Sequence, residues 1–205
     1  MSTRFRSFDH PHLTLDIQLR ETARELRDTR AQMALLDIIL EGDPRLRQKS
    51  HRIRSPEPGL KKLADDMHET MDHAPGVGLA GPQVGVMRRI IVIHLPEGYA
   101  EEGSPELRLT LLNPEITKGH GEELGLEGCL SIPGWVGDVP RMTSVTVRAM
   151  DLNGRSVRIK AEDFLARVLQ HEIDHLDGIL FVDRMREGSE LIPDTTEDEE
   201  EVVPA

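Results

Sequence analysis

The chain has 205 residues, 38% hydrophobic and 30% charged, which is the size and composition of one ordinary globular domain with a terminal extension. Its longest apolar runs, Met33 to Leu36 and Ile90 to Ile93, are far too short to span a bilayer, so an integral membrane helix is excluded. The formal net charge is −12, but residues 187–205 hold eight acids and no Lys or Arg, leaving −4 for residues 1–186, so a nucleic-acid surface is unsupported and no direct nucleic-acid recognition is expected. A single cysteine, Cys129, rules out an intrachain disulfide and leaves a buried thiol, a nucleophile or one metal ligand.

Arg4 and Arg6 are followed by polar sequence rather than an apolar segment, so no signal peptide is expected and a cytoplasmic compartment fits. Leu13, Ile17, Leu26, Met33, Leu36 and Leu40 recur among charged positions and suggest a helix over residues 12–40, either packed on the core or serving as a partner-binding arm. Pro44 and Ser55 to Gly59 break the chain. Leu60, Leu63, Ala64, Met67 and Met71 then predict a helix over 59–73. A glycine-rich stretch, residues 76–85, precedes strand candidates at 90–93, 107–112, 122–126, 143–150 and 155–161, the last two joined by a turn at Asp151-Leu152-Asn153-Gly154. Short strands separated by turns imply antiparallel sheet. Phe164, Leu165, Val168, Leu169, Ile173 and Leu176 mark the clearest helix, residues 162–176. The expected fold class is therefore α+β, with antiparallel sheets packed around a C-terminal helix. From about Gly188 the acidic tail, lacking aromatics, is expected to be disordered and solvating.

Within that last helix lies His171-Glu172-Ile173-Asp174-His175. Two histidines four residues apart share a helix face and can reach one cation. Glu172 is displaced by about 100° around the helix, so it stands beside such a metal rather than ligating it and can act as a general base on a bound water. Catalytic divalent metals usually take three protein ligands, and Cys129 in Glu127-Gly128-Cys129-Leu130-Ser131 is the only soft candidate for the third. A Cys, His, His set leaves an open position, which suits hydrolysis, whereas a closed structural zinc site would need a fourth protein ligand.

Three segments in this order, Gly76-Val77-Gly78-Leu79-Ala80-Gly81-Pro82-Gln83, Glu127-Gly128-Cys129-Leu130-Ser131 and His171-Glu172-Ile173-Asp174-His175, resemble the peptide deformylase family. The resemblance covers about residues 36–186, with 1–35 as an N-terminal helical extension and 187–205 as the acidic tail. It implies a metal-dependent hydrolase that removes the formyl group from the N-terminal formyl-methionine of newly made polypeptides and releases formate. It also implies Fe2+ as the usual native metal, with Zn2+, Ni2+ or Co2+ as substitutes, and makes the metal ligands Cys129, His171 and His175 with Glu172 as the catalytic carboxylate. Gln83 and the backbone N–H of Leu130 then become the oxyanion donors, and Asp174 is paired with Arg141.

For the substrate, Gly76 and Gly78 would allow an extended peptide close to the backbone, and Val77, Phe164 and Val168 would line the methionine pocket. The segment Gly134-Trp135-Val136-Gly137-Asp138 departs from relatives that carry an arginine there, and Gly81 stands where alanine is common. The partners expected are formyl-methionyl nascent chains, with the N-terminal helix as a candidate docking element for transient ribosome contact. Two rivals remain: an HExxH metallopeptidase, which would cut unformylated peptides, and a metal-binding or ribosome-associated module without catalysis.

Overall fold

The computed structural model describes residues 34–100 and 102–195. Its elements in chain order are α1 (Leu60–His73), β1 (Gly78–Ala80), β2 (Ile90–Leu95), β3 (Leu107–His120), β4 (Glu123–Cys129), β5 (Ile132–Arg141), β6 (Ser144–Met150), β7 (Ser156–Glu162), α2 (Asp163–Leu176) and β8 (Ile192–Pro193), with short 3-10 turns at Pro44–Arg47, Gly81–Val84 and Phe181–Asp183. All strand pairings are antiparallel. One sheet runs β1-β2-β3-β6-β7 and a smaller one β4-β5-β8. The expected α+β class is what the chain adopts, and no helix among the described residues is long and apolar enough to cross a membrane.

The alternation of side chains along the strands divides the apolar residues between two faces of the large sheet. Ile91, Ile93, Leu111, Val145, Val147 and Ala161 face α2 and pack on Val168, Leu169, Ile173 and Leu176. Each of those helix residues contributes about 1.5–3 kcal/mol by leaving water. Ile90, Val92 and Leu112 face the opposite way and pack under Leu60, Met67 and Met71 of α1. A third cluster, Leu46, Ile132, Val139, Leu180 and Phe181, lies under the smaller sheet. The metal-motif helix is thus clamped between the sheets.

Three sequence expectations need correction. Residues 34–40 are not helical. Their N–H groups bond outward instead, Leu36 to Thr70 Oγ1 at 2.9 Å and Ile39 to the Gln83 carbonyl at 2.7 Å, while Leu36 and Ile39 fill gaps in two different clusters. The expected helix at 12–33 lies outside the described residues. The tail does not become irregular at Gly188: Ile192 and Pro193 pair with Val136 and Trp135 of β5, and Asp194 N–H donates to the Gly134 carbonyl at 3.0 Å. Residues 196–205 lie outside the description. Finally β5 was not anticipated, and β3 runs to His120, eight residues beyond the expected end.

His68 on α1 is buried beside Thr110 Oγ1, at 3.1 Å from Nε2, while Nδ1 has no partner among the described residues. Burial first, and the nearby Arg108 cation second, hold its pKa down at about 4. Because the folded pKa lies below the unfolded value near 6.5, neutral His68 adds stability that is complete above pH about 6.5 and drains away as pH falls towards about 4, up to about 3 kcal/mol. The urea midpoint of the native protein should therefore drop between pH 7 and pH 5, and drop less in His68→Gln. Equal falls in the two proteins would remove His68 from this role.

Candidate active site

α2 places His171 and His175 one turn apart, with their Nε2 atoms 3.2 Å apart. The end of β4 brings Cys129 to the same point: its Sγ is 3.2 Å from His175 Nε2, and one donor atom from each of the three residues lies within 4.8 Å of the others. A register shift between Gly128 and Cys129, followed by the turn at Leu130-Ser131, swings the thiol out of the ladder and towards the helix. Burial alone would raise the thiol pKa, but the imidazoles of His175 and His171 outweigh it and bring it well below its ordinary value. A thiolate and two imidazoles, converging with the spread of a single ion, fit one divalent metal.

The supports behind these ligands are charged. His171 Nδ1 donates to Glu127 Oε2 at 2.9 Å, which fixes the ring and leaves Nε2 for a metal. Glu127 also accepts from Arg141 Nε and Nη2 at 2.9 and 3.0 Å and from Arg167 Nη1 at 2.9 Å. Burial would push the Glu127 carboxyl up, yet these partners, His171 and Arg141 first, hold it at about 2. Arg141 spans onward to Asp174 Oδ2 at 2.5 Å, and Arg184 Nη2 meets Asp174 Oδ1 at 2.9 Å. The expected Asp174–Arg141 pair is present as part of a larger buried network. His175, 1% exposed, stands at the inner end of the centre.

Gln83 is held on both sides of its amide. Oε1 accepts from Ala80 N–H at 2.8 Å, and Nε2 reaches Ser131 Oγ at 3.2 Å and Cys129 Sγ at 3.5 Å. The donor end therefore faces the centre. Glu172 is 3% exposed, and its Oε2 has no hydrogen-bond partner among the described residues. Burial is the main cause that lifts its pKa to about 7, partly offset by the neighbouring histidines. A buried carboxylate oxygen without a partner is costly unless a ligand meets it there.

Gly78 packs directly on that carboxylate. A Cβ at residue 78 would overlap Glu172 Oε1 and approach Cδ to 2.7 Å, and one at Gly76 would come within 2.7 Å of Leu130 Cδ1. Neither glycine has a positive φ, so the constraint at both is the close approach of a neighbouring side chain and not backbone conformation. In Gly78→Ala the Glu172 side chain must move; the formate release that the resemblance implies should fall at least about tenfold while the urea midpoint shifts little, because a misplacement of about 1 Å costs catalysis more than packing. Unchanged turnover would show that the carboxylate tolerates displacement.

These groups open onto a cleft of about 770 Å3. Every residue anticipated for the site, Gly76, Val77, Gly78, Gln83, Cys129, Leu130, Phe164, Val168, His171 and Glu172, lines it, apart from His175 behind. β1, which carries Gly78, is the outermost strand of its sheet among the described residues, and beyond the Ala80 N–H held by Gln83 its outer edge offers an extended peptide a strand to pair with. Sequence reasoning missed Arg167 and Tyr99, which also line the cleft, as does Trp135 of the segment Gly134 to Asp138 set apart above. Tyr99 leans on Phe164 with ring centroids 5.6 Å apart and is 53% exposed; Trp135 is 44% exposed. A signal for Tyr99 was there: it is the only Tyr of the chain.

The family model for polypeptide deformylase matches residues 35–190. The chain is 59% identical over 168 residues to the peptide deformylase of Thermomicrobium roseum, covering 81% of this chain and 96% of that protein. It is 53% identical over 155 residues to that of Roseiflexus castenholzii, covering 71% and 84% respectively. Among solved structures, peptide deformylase from Thermus thermophilus superposes with a TM-score of 0.67 at 43% identity, over 75% of this chain and 87% of that one. The Synechococcus elongatus peptide deformylase in complex with actinonin gives 0.68 at 42% identity, over 75% and 80%. With the motif residues gathered at one cleft and a family match spanning most of its length, the chain belongs to the peptide deformylase family.

Proposed function

We propose that this chain hydrolyses the formyl group from the N-terminal formyl-methionine of newly made polypeptides, leaving a free amine and formate. The observation that carries this reading is Glu172: a buried carboxylate with an unpartnered Oε2, next to three converging metal-type donors and open to the cleft. Cys129, His171 and His175 would hold one divalent ion, Fe2+ in the native protein with Zn2+, Ni2+ or Co2+ as substitutes. Such an ion, when bound, acidifies water and polarises a carbonyl.

The chain's own groups do the rest. Glu172 Oε2 takes a proton from the attacking water and passes it to the departing amine nitrogen. Its pKa near 7 suits both halves of that transfer at neutral pH. Gln83 Nε2–H and the Leu130 N–H hold the negative charge that develops on the formyl oxygen. Ala80 and Ser131 keep the Gln83 amide from turning its acceptor end inwards. Val77, Phe164 and Val168 supply an apolar wall for the methionine side chain, and Gly76 and Gly78 leave room for the backbone that follows it. In this reading residues 36–186 are the catalytic unit, the N-terminal 35 residues are an extension that docks transiently on the ribosome, and the protein works in the cytoplasm.

The test is formate release from a formyl-Met dipeptide by protein purified without oxygen and supplied in turn with Fe2+, Zn2+, Ni2+ or Co2+, beside an acetyl-Met dipeptide. Formate without acetate, highest with Fe2+ and lost in air, is expected. Internal cleavage of an unformylated peptide would replace deformylation with a metallopeptidase activity.

A further inference from the structure

Net charge is an average, and the five-stranded sheet distributes it unevenly. α1 covers Ile90, Val92 and Leu112 on one face of that sheet, with Met150 at the border. The rest of that face is fixed by register. Along β6 the residues that point the same way as Met150 are Arg148, Thr146 and Ser144. β7 sets Arg158 opposite Arg148 and Lys160 opposite Thr146, and β3 sets Glu115, Lys118 and His120 opposite Arg148, Thr146 and Ser144. All the charged members of this set are exposed. Its acids are Glu115, which accepts from Arg148 Nη2 at 3.0 Å, and Glu162 at the far end of β7. Among the described residues, Lys118, Arg158 and Lys160 enter no ion pair.

More cations stand where α1 ends its cover. Asn113, in a left-handed conformation at a β3 irregularity, clasps the Ile53 backbone, accepting from its N–H at 2.8 Å and donating to its carbonyl at 2.7 Å. Ile53 is buried, so Arg52 and Arg54 on either side of it are turned outwards and exposed. With His51, Arg148 and Ser156 they line a cavity of about 740 Å3 beside the β6–β7 turn, which also carries the exposed Arg155. Like charges directly opposite each other on a sheet destabilise it, and Arg148 faces Arg158 in an otherwise acidic protein.

We infer that this face, from Arg52 and Arg54 across Arg148 and Arg158 to Lys160 and Lys118, is a binding surface for the phosphate backbone of RNA. Arg148 and Arg158 are neighbours about 4.8 Å apart across the strands, Arg158 and Lys160 are about 6.8 Å apart along β7, and Lys118 and Lys160 flank Thr146 two strand spacings apart, a spread of cations that suits a run of phosphates better than a single anion. No Phe, Tyr or Trp lies among them, so the contact is with the backbone and independent of sequence. The choice of RNA rests on the proposed function only in this: a polypeptide still carrying its formyl group is found beside the RNA that directed its synthesis.

The experiment measures fluorescence anisotropy of a labelled RNA hairpin against the full chain at about 50 mM and about 150 mM salt, and repeats it with the Arg158→Glu, Lys160→Glu double variant. The native protein should bind with an affinity that falls steeply with salt, and the variant should bind at least about tenfold more weakly, with the log–log slope flattened by about two. Formate release from a formyl-Met dipeptide should be equal in both proteins, which certifies the fold. Failure of that turnover in the native protein would count against the catalytic reading alone. Unaltered RNA affinity in the variant overturns the inference, as does absence of binding by the native protein at low salt, which would leave an acidic peptide as the partner suited to this face.

Discussion

Glu172→Gln should lower formate release from a formyl-Met dipeptide by about a hundred- to ten-thousandfold, the range over which a positioned proton-transfer group contributes. The substitution keeps the shape of the side chain, so it fits against Gly78 as the native residue does. It removes only the ability to accept and return a proton at Oε2. Metal content should stay at that of the native protein, because Cys129, His171 and His175 are untouched, and the urea midpoint should not fall, since an amide is cheaper to bury than a carboxylate. Turnover within a fewfold of native would overturn the assignment of Glu172, and loss of metal together with turnover would mean that it supports the ligands rather than moving the proton.

The second large effect is on stability. Arg141 is shared by Glu127 and Asp174, and its side chain is 6% exposed. In Arg141→Met both carboxylates lose a buried cation; Glu127 retains Arg167 and His171, and Asp174 retains Arg184. Breaking one partner of a buried ionic network costs about 3–5 kcal/mol, against a total of about 5–15 kcal/mol for a typical domain. Urea unfolding at pH 7 should register that loss. The metal should also be held about ten- to a hundredfold more weakly, because Glu127 orients the His171 ring and Arg141 orients Glu127. Arg141→Lys should recover little of either, since one ammonium cannot reproduce the paired Nε and Nη2 bonds to Glu127 while also reaching Asp174. A stability change below about 1 kcal/mol in Arg141→Met would mean that the network is neutral to folding.

What could be read from the sequence and what could not have physical causes. The helix expected at 59–73 and the one expected at 162–176 each differ from α1 and α2 by a single residue at one end, because an apolar stripe at helical period is a local property. The metal donors were legible for the same reason: His171 and His175 are four apart on that stripe, and Cys129 is the only thiol. β5 was hidden because Pro133, Gly134, Gly137 and Pro140 carry the signature of a loop, whereas pairing with β4 along most of its length overrides it. In β3, Pro114 and Gly119 disguised the second half, which pairs with β6 through two irregularities. The Glu127 network joins residues 14 to 44 positions apart, and no local pattern specifies such distances. The uncovered cationic face escaped for a related reason: it emerges only when register sets three strands side by side, and the chain-wide charge had argued against it.

Trp135 gives the molecule an optical property. It is the chain's sole indole, it is anchored by the pairing of β5 with β8, and it sits half-exposed on the cleft wall. Tryptophan emission shifts and changes intensity when water around the ring is displaced, so every photon excited selectively from tryptophan comes from one place, the rim a substrate must pass. Occupancy by an unlabelled peptide or inhibitor can then be titrated without waiting for product, and in Glu172→Gln, where the reaction is stopped, the same signal separates binding from chemistry.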